Sequence, residues 1–172
     1  MYHELTVWSR GIIMDKEARD VSACVAAAAR ELGYYAENVS DYVDDPDRTN
    51  CLVRRYARFA GEPILDRFIY ENPHPDWVVL VEETIIKGVN FFRGTSPWMF
   101  VRDVSELAFD RMSTEGAVER LAIGTGIAAP LIGALVAATG ELSLDVVAEV
   151  VADRGAMFRG ARQHAVIQYA PI

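Results

Sequence analysis

The chain has 172 residues, 51% of them hydrophobic and 24% charged, with a formal net charge of −8. That length suits one domain around a single core, spanning 1–172. The acidic balance argues against a nucleic-acid binder, which needs a basic footprint, and disfavours an anionic membrane surface. Two cysteines, Cys24 and Cys51, allow at most one disulfide and fit two buried thiols of a reducing compartment. By themselves they cannot hold an iron–sulfur cluster or a structural zinc.

In chain order, Glu4 to Trp8 reads as a strand, Ser9 to Met14 as a turn with one glycine, and Ala18 to Leu32 as a helix. Val21, Cys24, Val25, Ala28 and Leu32 share one face of that helix, with Asp15 as its expected N-cap and Gly33 as its stop. Strand, turn and helix in that order open a nucleotide-binding α/β domain. A phosphate-cradling turn, however, wants about three glycines, and here Ile12, Ile13 and Met14 follow Gly11.

Tyr34 to Val39 reads as a second strand, followed by an acidic, proline-containing loop through Asp41, Asp44, Asp45 and Asp47. That loop lacks the central Gly and terminal Glu of a calcium loop. Cys51 to Phe59 is rich in strand formers and ends at the turn Gly61-Glu62-Pro63. Asn72-Pro73-His74-Pro75 is a rigid link, and Asp76 to Val81 is an apolar run that fits a central parallel strand.

Glu82 to Val89 suits a short helix or turn, Trp98 to Val101 a strand, and Val104 to Met112 a helix. Leu121 to Gly140 has no charged residue, about a bilayer's length. Its glycines, threonines, alanines and Pro130 favour a loop and then a buried helix over Ile127 to Ala138. Ser143 is placed to cap a last helix through Ala152, with Gly155 past its end, and Ala165 to Tyr169 looks strand-like. The alternation predicts an α/β fold with a mostly parallel sheet flanked by helices, Rossmann-like in outline. The charged N-terminal stretch shows no signal-peptide pattern, which points to the cytoplasm.

Two stretches carry a family resemblance. Leu131-Ile132-Gly133-Ala134-Leu135-Val136-Ala137-Ala138-Thr139-Gly140-Glu141-Leu142-Ser143-Leu144-Asp145-Val146-Val147 resembles the "LGALAALTG-x-x-SLE-x-x" signature near the end of the gamma subunit of 2-oxoacid:ferredoxin oxidoreductases. That family includes pyruvate synthase, indolepyruvate oxidoreductase and phenylglyoxylate dehydrogenase. Ser9-Arg10-Gly11 with the alanine-rich helix ending at Gly33 is similar to the family's "GRGGQG…AAELLA" start. Pro75 to Ile86 stands where the family has "PDVVIVLDPSLL". The family's Gly-Gly-Gln is replaced by Ile12-Ile13-Met14, and of its arginines in the tyrosine loop only Arg48 corresponds.

The resemblance implies a non-catalytic gamma subunit of a thiamine diphosphate-dependent 2-oxoacid oxidoreductase, acylating and coenzyme A-linked. It would pack on thiamine-binding and iron–sulfur subunits and help shape the coenzyme A approach. No cofactor is expected on this chain alone. The complex is expected to carry thiamine diphosphate, Mg and 4Fe–4S clusters, with FAD in another subunit as an option. The other class open to the sequence is a stand-alone Rossmann-like domain that binds a nucleotide or small molecule through a degenerate glycine motif.

The candidate residues follow. Arg48, Arg54, Arg55 and Arg58 form either a cationic strip for coenzyme A phosphates or an acidic partner, or the solvated charges of an edge strand. Alternation puts Arg54, Tyr56 and Arg58 on one face and Arg55 on the other. Arg10, with Gly11, follows the first strand at the end where α/β sheets bind ligands, placed for an anion or for a salt bridge to Asp15 or Glu17. Ile12, Ile13, Met14 and Trp98 are expected to be covered by a partner subunit. His3, His74 and His164 have no metal-ligand spacing, and no Gly-x-Ser-x-Gly nucleophile elbow occurs.

Overall fold

Alternating apolar residues Leu5 and Val7 make β1, His3–Arg10, a strand with one face in the core. The structure, a computed structural model, describes residues 2–40, 51–66, 72, 75–81 and 126–164. The segments 41–48, 82–89, 98–101, 104–112 and 165–169, and with them Arg48 and Trp98, lie outside the described residues.

Helix α1 spans Gly11–Glu31, β2 spans Tyr35–Ser40, β3 spans Leu52–Ala60 and β4 spans Trp77–Leu80. Three helices follow: α2 over Ala128–Thr139, α3 over Leu144–Val150 and α4 over Arg154–His164. The described strands lie in the order β2-β3-β1-β4. Strand β4 runs parallel to β1, with Leu5 opposite Trp77 and Trp8 opposite Leu80, as its apolar run implied, although among the described strands it stands at the end of the order and not at its centre. Strand β3, however, is antiparallel to both β1 and β2.

The α/β class with helices against a sheet therefore holds, while the described strands form a mixed rather than a mostly parallel sheet. The reason is connectivity. A parallel crossover takes a dozen or more residues, usually a helix, and the link from β2 to β3 has no helical pattern. It also follows that β3 is no edge strand: it is paired on both sides.

Helix α1 lays Ala18, Val21, Val25 and Ala28 on Leu5, Val7, Ala57, Phe59 and Val79 of the sheet. Each such buried valine contributes roughly 1.5–3 kcal/mol over an exposed one. The helix begins at Gly11 and not at Ala18, with Arg10 rather than Asp15 at the N-cap position and no side-chain cap. It stops where expected: Gly33 has φ 86, and the Tyr34 amide donates to the Ala29 carbonyl at 3.0 Å.

Helix α2 is buried from Ala128 to Val136 and closes at Gly140 with φ 66. Its alanines and glycine admit a close neighbour, α4. A Cβ built on Gly133 would sit 1.9 Å from the Met157 carbonyl oxygen, and one on Gly160 would sit 2.0 Å from the Pro130 carbonyl oxygen. Helix α3 ends at Val150, short of Ala152, and Gly155 lies inside the first turn of α4 instead of past the last helix. Asp153 starts α4: its Oδ1 accepts the Ala156 amide at 2.8 Å.

Candidate functional site at the carboxyl edge of the sheet

The chain leaves β1 at Arg10 and enters α1 directly at Gly11, whose φ of 72 is accessible chiefly to glycine. The Gly11 amide donates to the Cys51 carbonyl at 3.1 Å, so the one glycine of the turn is tied to the start of β3. A phosphate in this turn would have to do without that amide. The first turn of α1 carries no acidic side chain, which leaves the positive end of the helix dipole unopposed there.

Around this turn the structure gathers Arg10, Gly11, Ile12 and Cys51. Ile12 is 63% exposed, Met14 is half-buried against the core, and the Ile13 side chain lies outside the described residues. The Arg10 Nε is buried without a hydrogen-bond partner. The expected salt bridge from Arg10 does not form, because both carboxylates are engaged elsewhere. Asp15 takes Arg55 in a bidentate pair, with Nε to Oδ1 at 2.7 Å and Nη2 to Oδ2. Glu17 turns to α2.

The arginines of β3 divide as alternation requires. Arg55 faces α1 and its Asp15. Arg54 and Arg58 lie on the opposite face. The Arg54 guanidinium stands 5.3 Å from the Trp8 ring centroid and 5.9 Å from that of Tyr56. Arg58, 3% exposed, pairs with Glu4 and Glu37, each at 3.4 Å, and donates to the Asp66 carbonyl at 3.2 Å. Arg55 and Arg58 are thus compensated inside the fold, and they do not join Arg10 in one cationic strip.

Glu17, expected only as a partner for Arg10, has a different role in the fold. It is 2% exposed, and its carboxylate accepts the amides of Gly126, Ile127 and Ala128 at 3.0, 2.9 and 2.8 Å. It thereby supplies from α1 the cap that α2 lacks at its own N-cap residue, Ile127. A signal did exist: Glu17 stands four residues before Val21 on the apolar stripe of α1, where a carboxylate needs a partner.

Beside that contact, a cleft of about 480 Å³ opens between α1, the start of α2 and the residues after α3. Cys24 lines it, and burial together with the Asp20 carboxylate pushes this thiol up from 9.0 to about 12. It is therefore a neutral, unreactive group at physiological pH. Neither cysteine is in a disulfide. Iodoacetamide near pH 8 is expected to modify Cys51 well before Cys24 in the native chain; equal rates by peptide mapping contradict the burial.

The same shift has a stability consequence. The folded thiol titrates higher than an unfolded one, so its contribution is whole below pH 9.0 and is lost as pH rises toward about 12. Cys24→Ala is expected to flatten that alkaline decline in denaturant midpoint, and an unchanged slope rejects it.

Among the described residues no group of three or more His, Cys, Asp or Glu side chains could hold a metal ion. None of their helices is long and apolar enough to cross a membrane. No family model matches the sequence. Solved structures do match the fold over nearly the whole chain. Pyruvate oxidoreductase subunit PORC from Thermotoga maritima aligns with a TM-score of 0.59 and 21% identity, over 95% of this chain and 93% of that one. The gamma subunit of a keto/oxoacid ferredoxin oxidoreductase from Geobacter sulfurreducens aligns with a TM-score of 0.60 and 12% identity, over 96% and 97%. The fold is that of these two oxidoreductase subunits, in agreement with the resemblance carried by residues 131–147 and the opening stretch.

Proposed function

We propose that this chain is a single-domain, gamma-type subunit of a thiamine diphosphate-dependent 2-oxoacid oxidoreductase, acting in the complex without catalytic residues of its own. The observation that supports the reading is the match of the fold, over nearly the whole chain, to a pyruvate oxidoreductase subunit and to the gamma subunit of a keto/oxoacid ferredoxin oxidoreductase. The complex would decarboxylate a 2-oxoacid oxidatively and load the acyl group on coenzyme A. Thiamine diphosphate, Mg and the 4Fe–4S clusters would sit on its other subunits.

Within that assembly the carboxyl edge of the sheet is the surface offered to a partner. Ile12 is a large apolar side chain left in water by this chain alone, and contact with another subunit removes that cost. Arg10 and the unopposed start of α1 suit an anion at the same edge, either a coenzyme A phosphate or a partner carboxylate. The stand-alone nucleotide-binding reading is disfavoured, because the only glycine amide of the turn is bonded to Cys51.

The test is affinity purification of the full-length tagged chain from its native cells. Thiamine-binding and iron–sulfur subunits are expected to co-purify with 2-oxoacid oxidation, while the isolated chain is expected to be inactive. Turnover by the isolated chain, or its tight binding of a dinucleotide, overturns the proposal. Arg10→Ala in the complex distinguishes a coenzyme A contact, which raises the KM for coenzyme A, from pure subunit packing, which leaves it unchanged.

A further inference from the structure

We draw no further inference here: the strongest candidate, the cleft between α1, the start of α2 and the residues after α3, is an apolar recess whose buried carboxylate, Glu17, is already bonded to the α2 amides, and nothing in the structure shows what covers it.

Discussion

Gly160→Ala is expected to destabilise the protein by about 2–4 kcal/mol, against the sign of helix propensity. In an exposed helix interior the same change stabilises by about 1 kcal/mol. Here the new methyl would meet the Pro130 backbone at 2.0–2.7 Å, and a carbonyl cannot move aside by changing rotamer. The clash therefore outweighs the propensity, and α4 must lift off α2. Gly133→Ala meets the Met157 carbonyl oxygen at 1.9 Å from the other side and is expected to behave alike.

Gly155→Ala is the control. Its Cβ would reach only the side chains of Asp153 at 3.4 Å and Arg159 at 3.5 Å, so a neutral or slightly stabilising effect is expected. Thermal unfolding by circular dichroism checks the set: for a domain of this size the first two variants should lose about 5–15 °C in Tm. An unchanged Tm for Gly160→Ala means that the two helices are not in backbone contact.

Glu17→Ala should cost about 2–4 kcal/mol, since it leaves three amides at the start of α2 without their acceptor, two of them in the buried bonds. The carboxylate also faces the positive end of the α2 dipole, which adds to the loss. Glu17→Gln keeps one acceptor oxygen and is expected to lose roughly half as much. Glu149→Ala is the contrast, because its ion pair with Arg154 is 57–69% exposed and worth under about 1 kcal/mol. Urea denaturation ranks the three; a Glu17→Ala midpoint equal to that of Glu149→Ala removes Glu17 from the helix cap.

Much of the local structure was legible from the chain itself. Leu5 and Val7 alternate as a half-buried strand must, and Val21, Val25 and Ala28 repeat as a core-facing helix must. Gly33 ends its helix because a left-handed residue is needed there. The division of Arg54 and Arg58 from Arg55 also followed from strand alternation, whereas the turn expected over Ser9 to Met14 is strand as far as Arg10 and helix from Gly11. These features depend on neighbours within about one helical turn or one strand repeat, which is the range over which sequence pattern carries information.

Tertiary structure decided the rest. Strand β3 inserts between β1 and β2 in antiparallel register, through partners such as Trp8 with Arg54 that no local period links. Asp15 was read as a helix cap and instead holds Arg55, forty residues on. Glu17 finds amides more than a hundred residues away, and so Arg10 keeps a buried nitrogen without a partner. Gly155 looked like a stop, but Asp153 caps α4 ahead of it, and Gly160 lets that helix lie against α2. Composition and periodicity thus determined which segments become strands and helices and which of their faces are apolar. Only the folded chain determined which charges neutralise each other, because opposite charges and orphan amides pair by proximity in space rather than by spacing along the chain.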